Sequence, residues 1–394
     1  MPAPHDTYTE QLSVLRKGHP LYYPDPAAGR PPIGIGDVGF IREGKFQFLF
    51  SATRAADDPV QVNGVPDGFV PLNLDPQTLD IHERDLEPGP LHSESVVSFA
   101  GGAGAQVSTP TLSANASFNF DCNSTRGAIL VLETATERTE ATRRGIIEPY
   151  ARIHCLMWYD FALKAGIQVQ FGDLMLVTET SKTAAWSIAV YSSTSEQFSL
   201  AFSMGNSFGS AGISASGTQA QRLPSVHRRS QIQGDRSNAD TLAALPKEHT
   251  VFVKGFRLGT RELYTRSLVR TFIRQRESKL GHPITRLNKR IRGALRSGDK
   301  SLSRGRGGGT ATGPQESTES LKLQGLPDYH PALAVLALEM EHTNKQYVVV
   351  HDSEWCKEPA NYEVAQEYAK FLFDTELSKK RDIARSGDLR RYAH

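Results

Sequence analysis

The stretch FGDLMLVTETSKTAAWSIAVYSSTSEQFSLAFSMG, residues 171–205, decides the fold that the sequence predicts. It opens on an apolar run at 174–177 and continues with two segments in which apolar and polar residues alternate strictly. Alternation with a period of two gives a strand one apolar and one polar face. We therefore expect strands at 185–191 and 197–204, joined into a hairpin by the short polar loop 192–196.

A second alternating ribbon is predicted at 95–120. The polar faces of both ribbons carry hydroxyl groups and small side chains instead of charges. Such a ribbon can cover a protein core, or it can place its apolar face in lipid and its polar face in water. Under the second interpretation the candidate membrane-inserting residues are Trp186, Ile188, Val190, Phe198, Leu200, Phe202, Phe118 and Phe120.

The composition is typical of a globular protein, because 39% of the 394 residues are hydrophobic and 22% are charged. The first residues lack the pattern of a signal peptide, and no run of about 18 apolar residues predicts a membrane-spanning helix. The three cysteines are widely spaced and match no metal-binding pattern, which favours reduced thiols. We therefore expect a cytoplasmic protein that has no cofactor.

The net charge of +2 is unevenly distributed. Residues 254–306 contain 16 Lys and Arg against 3 Asp and Glu, so the rest of the chain is acidic. A basic block on an acidic body predicts a polyanionic partner, and 261–280 has the periodicity of an amphipathic helix. Nucleic acid is the less favoured partner, because the block lacks stacking aromatic residues. The candidate residues for binding acidic lipid are Arg266, Arg270, Arg274, Lys289, Arg290 and Arg292.

Further strands are predicted by an apolar run at 128–132 and by the run 249–258. We expect 251–258 to share one mainly antiparallel sheet with the three strands of the opening stretch. The polar segment 221–248 has few apolar residues and is expected to be a flexible insertion.

One helix is predicted between the two ribbons. Ile153, Met157 and Phe161 are spaced as on the apolar face of a helix. Pro149 suits the first turn of this helix and Gly166 suits its end.

Two motifs of enzymes occur in the wrong context. The G-x-G-x-x-G pattern at 34–39 follows two prolines and precedes a predicted strand, whereas a dinucleotide site needs a strand before it and a helix after it. The G-x-S-x-G pattern at 205–209 follows a half-polar strand and precedes a Gly/Ser-rich run, so we expect that Ser207 is not a nucleophile. The sequence does not indicate an enzyme.

The end of the chain is predicted to be a small α/β unit at 326–394, behind a basic Gly/Ser/Arg linker at 281–325. Its elements are a helix at 331–341, a strand at 347–351 and a long helix from about 362 to 381. Acidic residues after the strand, with His351, form a weak candidate metal site, for which a solvated turn is the favoured interpretation.

Two families resemble this sequence. The segments IGDVGF (35–40), DLMLVTET (173–180) and VFVKGFR (251–257) are similar to landmarks of a family of uncharacterised fungal proteins, a likeness that implies no chemistry. The order of elements between 95 and 260 resembles the pore-forming domain of gasdermins. The matching segments are 95–120, 128–132, 137–165, 173–180, 185–219 and 251–258.

The resemblance to gasdermins implies a fold and a function. It implies an α+β fold with a mainly antiparallel twisted sheet, long amphipathic hairpins and packed helices, divided here into 1–94, the core 95–280, the linker and the C-terminal unit. Gasdermins stay latent until an inhibitory C-terminal part is cleaved off, then bind acidic lipid, oligomerise and extend both ribbons across the membrane. The implied partners are an acidic phospholipid membrane, further copies of the chain and an activating protease. The alternatives are a non-enzymatic interaction or scaffold protein and, least favoured, a serine hydrolase.

Overall fold

The computed structural model of the chain describes residues 3–93, 96–100, 117–122, 126–170, 172–192, 198–203, 212–216, 225–230, 245–266, 331–342 and 345–356. These residues form three antiparallel sheets and five α-helices. Antiparallel sheets with few helices agree with the predicted α+β class.

The main sheet has eight strands. They are β1 (His19–Pro20), β2 (Asp37–Arg42), β3 (Lys45–Ser51), β4 (Leu79–His82), β9 (Glu137–Ala141), β10 (Leu174–Thr183), β15 (His249–Thr260) and β16 (Tyr347–His351). The strand order is β1-β15-β10-β2-β3, while β16 also pairs with β15, β9 with β10, and β4 with β9.

The remaining strands form two smaller sheets of four strands each. The root sheet consists of β5 (Gly89–His92), β8 (Arg126–Leu132), β11 (Ala185–Ser192) and β14 (Ser225–Ser230). The tip sheet consists of β6 (Val96–Ala100), β7 (Ser117–Cys122), β12 (Phe198–Ser203) and β13 (Gly212–Ser216). The strand orders, β14-β11-β8-β5 and β13-β12-β7-β6, correspond strand for strand.

The five helices are α1 (Pro4–Leu12), α2 (Arg144–Lys164), α3 (Arg261–Arg266), α4 (Pro331–His342) and α5 (Ser353–Cys356). The longest, α2, packs against the main sheet and buries one face there. The Trp158 ring meets the edge of Phe50 at a centroid distance of 5.7 Å. The Tyr159 hydroxyl, buried in the same core, donates to the Leu258 carbonyl at 2.5 Å and ties α2 to β15.

The predicted face of α2 is partly wrong. Ile153 is 70% exposed, whereas the buried residues of α2 are Ile147, Ala151, Cys155, Trp158, Tyr159 and Ala162. Two apolar stripes share this helix, and spacing alone cannot tell which of them meets the sheet. The predicted end is confirmed, because Gly166 has a φ of +76° just past the last turn. Pro149 lies inside the helix, which begins five residues earlier.

The predicted strands of the opening stretch are present, but they do not share one sheet. Residues 174–177 and 249–258 lie in β10 and β15 of the main sheet, 185–191 lie in the root sheet, and 198–203 form the tip-sheet strand β12. The predicted hairpin between β11 and β12 is wrong, because these two strands pair with other strands and not with each other. Alternation reports which side chains share a face, but it does not identify the neighbouring strand.

The segment predicted as a flexible insertion contains β14, which pairs along β11 from Val190 to Ala185. The strand sequence SVHRRS has one large apolar residue, so hydrophobic patterning gives no strand signal. An edge strand of this kind is held by its backbone hydrogen bonds, which no side-chain pattern records.

The glycine pattern at 34–39 has a structural role. Gly36 has a φ of +86°, and a Cβ there would lie 2.3 Å from the Thr53 side chain. A Cβ at Gly39 would lie 2.3 Å from the Gln47 carbonyl oxygen of the paired strand. The glycines therefore shape the turn into β2 and its close pairing with β3.

Candidate functional site

Two long hairpins lie side by side and make up both the root and the tip sheet. In the second hairpin, β11 and β12 form one arm, and β13 and β14 form the other. Ala185 pairs with Ser230 at the base and Ser203 pairs with Gly212 near the turn. The residue numbers of each pair add up to the same value, so the two described parts of the hairpin have the same register.

The first hairpin contributes β5 and β6 as one arm and β7 and β8 as the other. Gly89 pairs with Leu132 at the base. Ala100 pairs with Phe118 towards the turn. The register changes by three residues between the root and the tip. The hairpins join through β8 with β11 in the root sheet and β7 with β12 in the tip sheet.

The root sheet is covered by helix α1. Trp186, Ile188 and Val190, candidates for membrane insertion, are at most 4% exposed here. They lie in one apolar cluster with Tyr8 and Leu12 of α1. In this structure, therefore, the apolar face of β11 packs on protein.

The tip sheet is amphipathic and almost uncharged. Its strands contain one charged residue, Asp121. Cross-strand pairing places Leu200 opposite Phe120, and Phe202 opposite Phe118. Because directly paired residues share a face, the apolar positions of the central strands lie together. The positions on this face include Phe118, Phe120, Phe198, Leu200, Phe202, Ile213 and Ala215.

Phe120 is the one tip-sheet residue among these whose side chain is described. It is fully buried, and its ring centroid lies 6.2 Å from that of His92 in a T-shaped arrangement. His92 belongs to β5 of the root sheet, so this contact links the two sheets. Phe120 therefore marks where the covered part of the ribbon passes into the amphipathic part.

Buried hydroxyl groups join the root sheet to the main sheet. The Thr134 and Thr183 hydroxyls lie 2.7 Å apart, and the Ala184 amide donates to Thr134 Oγ1 at 3.1 Å. Ser187 Oγ donates to the buried Glu133 carboxylate at 3.1 Å. Paired hydroxyls at this point satisfy one another and fix how the hairpins leave the body.

The basic residues chosen from the sequence are mostly outside the described residues. Arg266 ends helix α3, and Arg270, Arg274, Lys289, Arg290 and Arg292 are not described. Two basic residues outside the predicted set, Arg228 and Arg229, lie on the edge strand β14, opposite Ser187 and Trp186. The doublet is visible in the sequence, but its place on a sheet edge is not.

The weak candidates for enzyme chemistry can be placed only in part. Ser207 lies outside the described residues. The His351 ring nitrogen Nε2 lies 2.8 Å from Thr178 Oγ1, and Asp352 accepts from Arg257. Within the described residues no group of three or more His, Cys, Asp or Glu side chains is placed to hold a metal ion.

Comparison with models of known protein families gives no match, and no curated protein matches the chain. Within the described part of the chain, no helix combines the length and the apolar character needed to cross a bilayer.

Proposed function

We propose that this chain is a latent, gasdermin-like pore-forming protein whose tip sheet enters the membrane after several copies associate. The observation that carries the proposal is the tip sheet, with its apolar positions on one face and its single charge. A strand that crosses a bilayer needs about 9–11 residues with apolar and polar residues alternating. Residues 197–206 and 209–218, which contain no charged residue, would supply arms of this length.

The burial of β11 supports one choice for where the lipid-facing part of the proposed pore begins. Because Trp186, Ile188 and Val190 are buried against α1, the proposal assigns them to the base that remains covered by protein. The membrane-facing positions are then Phe118, Leu200 and Phe202. Phe120 lies at the boundary, together with Phe198, which pairs with Cys122 on the root side of Phe120. This is a narrower set than the sequence alone suggests.

Association is proposed to use the edges of the two sheets. The end strands are β5 and β14 in the root sheet, and β6 and β13 in the tip sheet. Pairing β14 and β13 of one copy with β5 and β6 of the next is a head-to-tail contact, which closes into a ring when the rotation permits. Acidic headgroups would be bound by the basic residues Arg266, Arg270, Arg274, Lys289, Arg290 and Arg292.

Dye release from vesicles tests the proposal. The protein is added, intact or cut within 281–325, to vesicles with and without phosphatidylserine. We expect the cut protein to release dye from the acidic vesicles. Leu200→Asp should abolish release, because a charge at a lipid-facing position destabilises every inserted strand of the assembled ring.

Ser199→Asp is the matched control, since Ser199 is the neighbour of Leu200 on the other face of β12. We expect this variant to keep most of the activity, because its charge faces water. Absence of release by every form of the parent protein would contradict the proposal. Equal loss in the two variants would contradict the assignment of the lipid-facing side.

A second candidate function, a non-enzymatic scaffold, is favoured by the outer face of α2. Four apolar side chains on it are exposed, Ile146 at 47%, Ile153 at 70%, Leu156 at 45% and Leu163 at 53%. A contiguous apolar stripe of this kind is typical of a surface that binds another protein. Ile153→Glu should then abolish partner capture while leaving dye release unchanged, whereas the pore proposal assigns this stripe no role.

A further inference from the structure

Residues 331–356 are held against the body of the chain by a strand and two helices. β16 pairs antiparallel with β15, from His351 opposite Phe256 to Tyr347 opposite Thr260. On the same edge of β15, β1 pairs with Phe252 and Val253. The ladder is continued by Arg261, whose amide donates to the Gln346 carbonyl at 2.7 Å. The segment therefore completes the main sheet at the end of β15.

Apolar side chains of the segment are as deeply buried as the core of the body. Val349 belongs to the same apolar cluster as Trp158 of α2 and Phe256 of β15. A Cβ at Gly172 would lie 2.2 Å from a Leu333 methyl carbon, so a larger residue there would have to displace this side chain of α4. The buried apolar residues of the segment are Ala332, Leu336, Met340, Val348, Val349 and Val350.

A buried charge pair joins the segment to the body. The Asp352 side chain is fully buried and accepts from the Gly255 amide at 3.0 Å and from Arg257 Nε at 3.4 Å. The same guanidinium approaches His19 Nδ1 of β1 at 3.2 Å. A buried arginine that loses its carboxylate partner carries an uncompensated charge. Any other strand on this edge of β15 would need an acidic group at the position of Asp352.

We propose that residues 331–356 are a docked ligand of the body, 3–266, recognised through the Asp352–Arg257 pair, and that the two pieces stay associated when the chain between them is cut. Strand addition supplies main-chain hydrogen bonds, and the charge pair supplies specificity. The inference does not rest on the proposed pore function. It means that scission of the chain between 267 and 330 does not by itself free this segment from the body in solution, so dye release by the cut protein would require the acidic vesicle to displace the segment.

Cutting the folded chain tests the inference without any membrane. Residues 305–309 are replaced by the recognition site of a sequence-specific protease, and the folded full-length protein is cut and passed over a sizing column. We expect both pieces to elute together at the mass of the uncut chain, and to separate in denaturant. Separation of the parent pieces in native buffer would overturn the inference.

Asp352→Asn tests the charge pair, because it keeps the shape and removes the counter-charge. We expect that, after the cut, the C-terminal piece of this variant dissociates from the body, because its affinity for the body is weaker by roughly two to three decades. Lys345→Gln, which removes an exposed charge from the same segment, is the control and should behave as the parent. Equal retention in both variants would overturn the role of Asp352. If uncut Asp352→Asn does not fold, unchanged amide-exchange protection of Val348–Val350 in the cut parent supports the docking, and lost protection overturns it.

Discussion

The root sheet and the tip sheet have the same strand order, yet they differ in what covers them. The root sheet lies on α1, and its central strands bury large side chains in that contact. Among the described elements, no helix packs to a comparable extent against the tip sheet. The strands of the root sheet carry Arg126, Arg228 and Arg229, whereas the tip sheet carries only Asp121.

This difference shows that one alternating pattern can serve two environments within a single hairpin. In β11 the apolar face completes a protein core, so alternation there needs no further explanation. In β12 the same alternation continues beyond the helix that covers the root. The place where the cover ends, near Phe120 and His92, is therefore more informative about function than the alternation itself.

The largest expected effect comes from removing side-chain volume in the root sheet. Ile188 is fully buried beneath α1, so Ile188→Ala should lower the free energy of unfolding by about 3 kcal/mol. Leu200→Ala, at a tip-sheet position on β12, should cost less than about 1 kcal/mol if the tip sheet stands outside the core. Urea unfolding monitored by circular dichroism measures both values. Equal losses would remove the distinction between the sheets.

The pH dependence of the free energy of unfolding can then show which sheets unfold together. Burial raises the pKa of Asp37, at the start of β2, to about 6. The folded state therefore binds more protons than the unfolded state between the ordinary carboxyl range and pH 6, and stability falls as the pH rises through that window. Relative to Asp37→Asn, the parent should lose about 2 kcal/mol between pH 4 and pH 7.

Amide exchange locates this loss of stability. Because the hydroxyls of Thr134 and Thr183 join the sheets, protection of β11 should follow the same pH dependence as that of β10. Protection of β12 should not. If all three strands respond equally, the tip sheet belongs to the same cooperative unit as the body.

The smallest expected effect concerns the ion pair between α1 and the root sheet. Arg126 Nη1 lies 3.4 Å from Glu10 Oε2, and both side chains are partly exposed to solvent. Glu10→Gln should therefore lower the free energy of unfolding by less than about 1 kcal/mol, with a smaller effect in high salt. A loss as large as that of Ile188→Ala would mean that charge, and not apolar burial, holds α1 on the root sheet.

The sequence predicts the strands better than it predicts their partners. Alternation located β11, β12 and β15, because side-chain period depends only on local geometry. The pairing of Trp186 with Leu132 depends on residues 54 positions apart, which no local pattern encodes. β14 was missed because an edge strand rich in polar residues resembles a loop. The buried pair of Arg257 and Asp352 was missed because charged residues suggest a surface until their partner is known.

The single register of the second hairpin has a consequence for how the protein folds. The strand pairs of that hairpin can form one after another, starting next to its turn. Each new pair then closes only a short loop, which costs little entropy. Pairing of β8 with β11 and of β10 with β15 must instead close loops of many tens of residues, which slows folding. We therefore expect the second hairpin to form early as an independent unit and the main sheet to be completed late, when β16 adds to β15.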